Sequence, residues 1–444
     1  MDPILSGLIV AMVVVIAIVL TLAARLEWLM ILAIVTIMFA DTTLFPSETD
    51  SAVYFYARFV PLGLVAIRAL LSGRGRSGIN SLPGLFLRPF GLLFLLSAFG
   101  TIYSEQPLKN ALRAVSMLLV LISFGVGIPA CMSNNEELRR GLRLVVLLLG
   151  GIILISLITY PFLETSVLEM GEYQRVNGLF KNPNSLGLLS MLTFFPLAAM
   201  WFENKRKTWL GFLSIAALFG VLLSGSRGSF AGLLSGLLVV TILRGLDSKL
   251  KGAIITVILL GVVSIILMPQ FQGLARTDNG DRLVLWERAW QLGMRAPMTG
   301  VTLGDVDGVF QADREYLSSI QVYVAGSHDE YLRMFVAVGF PGVLLALFGL
   351  FSIIVSAIRS IPGDDDQMIQ VSLLAAIVAG MVNAIFEDWI FAFGGAPSLI
   401  FFFFLAVLSV YVHRRYLRRK VGAGAVARKP ASAYRPVAAY NAGP

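Results

Sequence analysis

Apolar runs of about 20 residues recur along the chain and constrain its fold more than any other feature. A run of that length crosses the hydrocarbon core of a bilayer as a helix, because a backbone in lipid must satisfy its polar groups within its own segment. Thirteen segments meet this measure, approximately 4–24, 27–45, 51–71, 84–103, 108–130, 142–160, 183–202, 208–224, 229–245, 250–268, 328–356, 368–389 and 395–412. With 57% hydrophobic and 14% charged residues among 444 and a mean hydropathy of +0.81, the chain is too apolar for a soluble domain. The sequence predicts an all-α integral membrane protein with about 12–13 transmembrane helices. The count falls if the first two segments form one re-entrant hairpin. The first run follows Met1, Asp2 and Pro3 with no basic segment or small-residue cleavage site, so it is read as a helix that stays.

Charge sets the orientation. Arg25, Arg74 and Arg76, Arg139 to Arg143, Lys205 to Lys207, Lys249 and Lys251, and the terminal HRRYLRRK occupy every second connection. Those connections face the cytoplasm. Of the 35 Lys and Arg, 23 fall on that side, so the net charge of +8 reflects orientation in a membrane and no nucleic acid is expected as a partner. The one cysteine, Cys131, excludes a disulfide framework, and two histidines without a Cys cluster leave too few ligands for zinc. The expected organisation is a polytopic membrane domain over 1–420 that carries one large outward loop, 270–327, followed by a disordered cytoplasmic tail, 421–444. No internal repeat is evident, which counts against a secondary transporter.

Ionisable residues within the spans are few: Arg58, Arg68, Arg113, Arg333 and the pair Glu387 and Asp388. Each is costly in lipid and should face the bundle interior or reach an interface. Arg68 lies near a cytoplasmic end and is expected to snorkel. For Arg58 and Arg113, interior ion pairing and a groove for a lipid diphosphate are equally open. Glu387 and Asp388 are expected at the interface.

Three outward stretches bring arginine. RVNGLFKNPNSLG, residues 175–187, opens a helix at Pro183 with Asn182 and Asn184 as candidate caps. It is either a capped turn or an anion site where free amides join Arg175 and Lys181. SGSRGSFAG places Arg227 among small residues between two spans. Arg227 is either an interface arginine or a planar fork gripping phosphate in two places. In the long loop, Leu283, Trp286, Trp290 and Met294 recur at helical spacing with Arg282, Glu287 and Arg288 off that stripe. This predicts a short amphipathic helix along the membrane surface, its stripe used for packing rather than as a sugar platform. Ser327 is the expected cap of the next span, with His328 in its first turn. His328 is the only outward histidine, adjoins Asp329 and Glu330, and titrates near neutrality, so it is the candidate to take a proton from a hydroxyl. Asp278, Asp281, Asp305 and Asp307 lie close in sequence, yet no bound metal is expected. A Ser-His-Asp triad lacks its nucleophile elbow.

Taken in order, these stretches resemble the O-antigen ligase and polysaccharide polymerase superfamily of bacterial inner-membrane glycosyltransferases. The superfamily pattern is R-x-x-G-x-x-x-x-P-N, then S-R-G or S-R-A, then G-R-x-x-x-W in a large periplasmic loop, then H-N-x-Y-L followed by G-x-x-G. Here it reads Arg175, Gly178, Pro183 and Asn184; Ser226, Arg227 and Gly228; Arg282 and Trp286; and His328, Tyr331 and Leu332 with Gly339 and Gly342. The resemblance spans about residues 175–350, and two positions depart from it: Asp281 stands where the pattern has Gly, and Asp329 where it has Asn. The resemblance implies a GT-C-like membrane enzyme, without cofactor, moving a glycan from undecaprenyl diphosphate to an acceptor hydroxyl on the periplasmic face. It makes Arg227, Arg282 and His328 the catalytic candidates, with His328 either base or diphosphate ligand. Arg175, Lys181, Asn184, Arg288 and Tyr331 become the substrate-binding candidates. Implied partners are the lipid-linked donor, a glycan or lipid A core acceptor and the surrounding membrane lipids, with a chain-length regulator left open. A polymerase, a ligase and a lipid-linked glycan flippase are the competing functions, and the polymerase is preferred.

Overall fold

The computed structural model describes residues 26–42, 59–71, 83–162, 167–170, 173–204, 207–244, 280–313, 327–361 and 366–427. Its helices are α1 (Leu26–Ala40), α2 (Val60–Leu71), α3 (Gly84–Phe99), α4 (Pro107–Gly125), α5 (Gly127–Cys131), α6 (Asn135–Thr159), α7 (Pro183–Glu203), α8 (Thr208–Leu223) and α9 (Arg227–Arg244). They continue as α10 (Gly280–Gly293), α11 (Val306–Ala312), α12 (Glu330–Ser360), α13 (Gln367–Asn383) and α14 (Ala396–Ala427). A small antiparallel hairpin, β1 (Val167–Met170) and β2 (Tyr173–Val176), pairs Val167 with Val176 and Leu168 with Arg175. Among the described residues, seven helices are long and apolar enough to cross a membrane, and four shorter apolar ones accompany them. Together these account for eleven of the thirteen predicted spans. The runs at 4–24 and 250–268, Arg58, and the tail from 428 lie outside the described residues. Helix α14 continues to Ala427, into the segment expected to be disordered.

The chain packs around α14. Its apolar window is 94% buried, against 28% for α9 and 33% for the helix over 84–102. The sequence explains this, since SLIFFFFLAVLSV is hydrophobic all round, as a helix enclosed by other helices must be. Phe401 to Phe404 are fully buried, and the Phe402 ring meets those of Phe86, Phe90, Phe391 and Phe393 with centroids 5.1–6.4 Å apart. The outer helices expose Leu92, Leu95, Phe212, Ile215 and Phe348, a surface suited to lipid tails.

Without a hydrophobic drive between helices in lipid, close packing depends on small residues. On α9 these are Gly228, Gly232 and Gly236, four apart. A Cβ on Gly232 would lie 2.3 Å from the Met191 sulfur on α7 and 2.6 Å from the Ala379 carbonyl on α13. One on Gly236 would meet Phe195 at 2.2 Å and the Ala375 carbonyl at 2.9 Å. Gly232→Leu is therefore expected to cost about 3 kcal/mol or more through overpacking, read as loss of a monodisperse peak or a much lower melting temperature. Gly91→Leu is the control, since nothing lies within 4 Å of its added Cβ. Equal stability of the two variants would refute this packing.

The span predicted at 328–356 is broken. Gly339 sits at φ 66°, ψ −175° inside α12, with Pro341 just beyond it. The freed backbone groups are taken up by the long loop: Val301 N–H donates to Val336 O (2.9 Å), Thr302 N–H to Ala337 O (2.8 Å) and Phe340 N–H to Pro297 O (2.8 Å). Non-helical backbone at membrane depth persists only where protein covers it in this way. The approach is close enough that a Cβ on Gly300, also at positive φ, would sit 2.4 Å from the Ala337 carbonyl carbon.

The same loop is anchored a second time by Asp305. Its carboxylate accepts from Ser104 Oγ (2.9 Å), Glu105 N–H (3.1 Å) and Gln106 N–H (2.9 Å) just before α4, and from Thr302 Oγ1 (2.8 Å) within the loop. Burial alone would raise its pKa, but these bonds hold it below the usual carboxylate range. Helix α10 buries Leu285, Ala289 and Leu292. The stripe expected from sequence is displaced: Leu283 is 61% and Met294 48% exposed, while Trp290 stacks on Phe335 with centroids 5.2 Å apart.

Candidate functional site

Three helices begin at one end of the bundle, and each has its own cap. Asn182 Oδ1 accepts from Asn184 N–H (2.8 Å) at α7. Ser226 Oγ accepts from Ser229 N–H (3.3 Å) at α9. Asp329 Oδ1 accepts from Leu332 N–H (2.8 Å) at α12. The last of these corrects expectation. Asp329, not Ser327, caps α12, and His328 precedes the helix instead of entering its first turn. An Asp serves as an N-cap as well as the Asn of the superfamily pattern, which accounts for that departure. Burial raises the Asp329 pKa to about 6.

His328 stands at φ 46°, in the left-handed region. Ser327 clamps it from both sides, its Oγ donating to Asp329 O (2.8 Å) and accepting from Asp329 N–H (3.4 Å). The imidazole Nε2 is buried with no hydrogen-bond partner among the described residues. Burial and the nearby Arg282 lower the His328 pKa against the opposing pull of Asp388. The ring is therefore neutral at neutral pH, with one nitrogen held out of solvent and unengaged.

Beside it lies a chain of charged groups drawn from four parts of the sequence. Arg175, on β2, donates through Nε to Ser224 O (2.9 Å) and through Nη2 to Asn184 Oδ1. Asn184 passes the contact on, its Nδ2 donating to Glu387 Oε1 (2.7 Å). Glu387 also faces Arg282 of α10 at 3.7 Å, while Arg282 Nη1 donates to Phe386 O (3.1 Å). Burial foremost, with Asp388 adding to it, raises the Glu387 pKa to about 7 against the pull of Arg282 and Arg175. Arg227 begins α9 at the same place, because a Cβ on its neighbour Gly228 would touch Asn383 and Phe386 at 3.0 Å. Asn383 in turn joins the Ser229 hydroxyl (3.2 Å) to Trp389 Nε1 (2.7 Å).

On the other side of Asp388, Arg333 reaches both Asp388 (3.8 Å) and Asp307 (2.9 Å), and Arg113 closes on the same Asp307 and on Leu303 O. Arg113 is thus an interior ion-pair residue. Although burial opposes it, the two guanidiniums keep Asp307 below its usual pKa. A cavity of about 300 Å³ opens here, lined by Arg113, Arg333, Ser116, Asp41 and the turn from Phe391 to Gly395.

The structure gathers Arg175, Asn184, Arg227, Arg282 and His328 at this end. Three other candidates sit differently. Arg288 is held by Asp313 in a two-point pair (2.6 and 2.5 Å). The Tyr331 hydroxyl donates to Met381 O (2.8 Å) and ties α12 to α13. Lys181 is exposed, with its backbone N–H on Asp41 O (3.2 Å). The acids at the centre, Glu387 and Asp388, were expected at the membrane interface. Helix α13 stops at Asn383, and the irregular turn after it folds them inward. Two adjacent carboxylates and a Trp beside an apolar run were the available signal.

These features define an all-α integral membrane protein with a cluster of arginines, carboxylates and one neutral histidine at one end of its bundle. Residues 212–347 match the family model for O-antigen ligase, which supports the resemblance to the O-antigen ligase and polysaccharide polymerase superfamily. The matched segment runs from α8 into α12 and contains Arg227, Arg282 and His328. No curated protein matches the chain. The chain is accordingly a multi-pass membrane protein, and the match supports a glycan-processing function.

Proposed function

We propose that the protein transfers oligosaccharide units from undecaprenyl diphosphate to an acceptor hydroxyl on the periplasmic side of the bacterial inner membrane, acting as an exopolysaccharide or O-antigen polymerase. The observation that carries this reading is the linkage of Arg175 and Arg282 through Asn184 and Glu387, with the buried imidazole of His328 beside Arg282 and with α9, which Arg227 opens, starting against the same turn. Breaking the sugar–diphosphate bond develops negative charge on the leaving diphosphate. Preorganised guanidiniums stabilise that charge without a metal. Neutral His328 takes the acceptor hydroxyl proton as the oxygen attacks the anomeric carbon, and direct displacement inverts that centre. The test is incubation of purified protein with undecaprenyl diphosphate-linked repeat units, with and without EDTA. A ladder of lengthened lipid-linked glycan that survives EDTA supports the polymerase. Product only after adding lipid A core makes it a ligase, and no product with either acceptor refutes transfer.

Glu387 gives this reading a pH signature. In the structure it faces Arg282, and its pKa of about 7 leaves it part-protonated at neutral pH. Diphosphate at Arg282 places more negative charge beside it and raises that pKa further, so binding takes up a proton. Donor affinity is expected to rise as pH falls towards about 7, by up to about tenfold per unit, and to level off below it. Arg175 and Asn184 stay in place, and His328, with its lowered pKa, remains neutral in this window. Glu387→Gln should flatten the slope and bind donor more tightly than wild type at pH 8. Parallel slopes in a donor titration would exclude the coupling.

A further inference from the structure

A second cavity lies at the opposite end of the bundle. It measures about 920 Å³ and sits between the start of α3 and the ends of α12 and α14. Helix α12 separates the two ends: His328 lies two residues before its start and Arg359 is in its last turn, roughly 45 Å away at 1.5 Å per residue. The positive-inside rule makes this the cytoplasmic face.

Four arginines line the cavity: Arg88 from α3, Arg359 from α12, and Arg415 and Arg419 from α14. None of its lining side chains is a carboxylate. Arg415 is oriented by Ile361 O (3.4 Å), whereas Arg88, Arg359 and Arg419 are exposed. Ser352, Ser356 and the exposed Tyr416 add hydroxyls. Asp364 and Asp365, a few residues on, lie outside the described residues. The wall is apolar towards the bilayer. Leu344, Phe348, Phe351 and Val355 are 63%, 66%, 52% and 42% exposed, and their spacing of four, three and four makes one lipid-facing stripe on α12 that ends at the arginines.

From this we infer that the cavity binds the headgroup of an anionic phospholipid of the cytoplasmic leaflet. Four cations without lining acids would repel one another if left alone, and a phosphodiester answers them with charge-assisted bonds that Arg geometry favours. Basic pockets between membrane helices on this face suit such headgroups. The Leu344 to Val355 stripe supplies the surface along which acyl chains lie, which a soluble anion would leave unused. The site is independent of the proposed transfer chemistry and stands or falls separately from it.

Native mass spectrometry of the full-length protein in detergent, titrated with phosphatidylglycerol, cardiolipin or phosphatidylethanolamine, tests the proposal. The wild type is expected to retain one anionic lipid, and Arg88→Gln/Arg359→Gln/Arg419→Gln to lose about tenfold or more in that affinity. The variant's melting temperature in detergent, with no lipid added, is expected to match wild type and so establishes that it is folded. The single Arg359→Gln variant should fall between the two. Equal retention of phosphatidylethanolamine, or undiminished phosphatidylglycerol binding by a folded triple variant, overturns the proposal. Inorganic phosphate is the remaining arm. Arginine-dependent stabilisation by phosphate, with none from phosphatidylglycerol, overturns the lipid assignment in favour of a soluble anion.

Discussion

Arg282→Ala is expected to reduce glycan transfer by about two to three orders of magnitude, the usual cost of losing one preorganised donor to a developing anion, while leaving the protein folded. The geometry explains both halves of this result. Arg282 is held by contacts that bind it loosely, one hydrogen bond of 3.1 Å to Phe386 O and a 3.7 Å approach to Glu387. A diphosphate can redirect its guanidinium without breaking a strong pair, in contrast to Arg288, which Asp313 grips at two points. Removing Arg282 leaves Glu387 without its nearest cation. That carboxyl titrates at about 7 even with the arginine present, so it takes a proton and the fold survives the loss. Arg282→Lys should recover little, because an ammonium cannot replace a planar fork. The measurement is initial rate of lipid-linked glycan extension against melting temperature for the two variants. Near-normal rates in Arg282→Ala would remove this residue from the chemistry, and a collapse in stability would make its role structural.

How much of this could be read in advance depended on whether the partners were close in sequence. The spans were legible because a run of apolar residues announces itself. Pro183 with Asn182 before it marked a helix start that the structure reproduces. Arginines working against the positive-inside bias pointed to one end of the bundle, where Arg227 opens α9 and Arg282 lies beside Phe386. Long-range partners were not legible. Nothing near Arg288 announces Asp313, 25 residues on, and nothing near Arg113 announces Asp307, 194 residues on. The amphipathic stripe of α10 was misplaced because its two Trp dominate any periodicity count, whereas the face that packs carries the smaller Leu285, Ala289 and Leu292. The break in α12 was present as Gly339 and Pro341, but their meaning depends on a loop some 40 residues earlier that supplies the missing hydrogen bonds. The inward fold of Glu387 and Asp388 follows from where α13 ends, and helix ends are what periodicity locates least well.

The same distinction between local and distant signal decides the experiment at His328. His328→Ala and His328→Gly both remove the imidazole, and both are expected to lose about 10²- to 10⁴-fold in transfer, the usual contribution of a positioned general base. They should differ in stability. A φ of 46° is strained for any residue with a Cβ and free of that strain for glycine, so the glycine variant should be more stable than the alanine variant by about 1 kcal/mol. The comparison is clean because the two proteins lack the same ring and differ only in the Cβ. Asparagine, which tolerates this conformation better than most residues, should fall between them in stability and remain inactive. Equal stability of the alanine and glycine forms would mean that Ser327 and Asp329 do not impose the backbone conformation. Activity retained in either would mean that His328 is not the base. The expected combination, inactive yet more stable with glycine, would show that the chain holds a costly backbone conformation at this position to place the imidazole beside Arg282, as strained residues at functional sites commonly do.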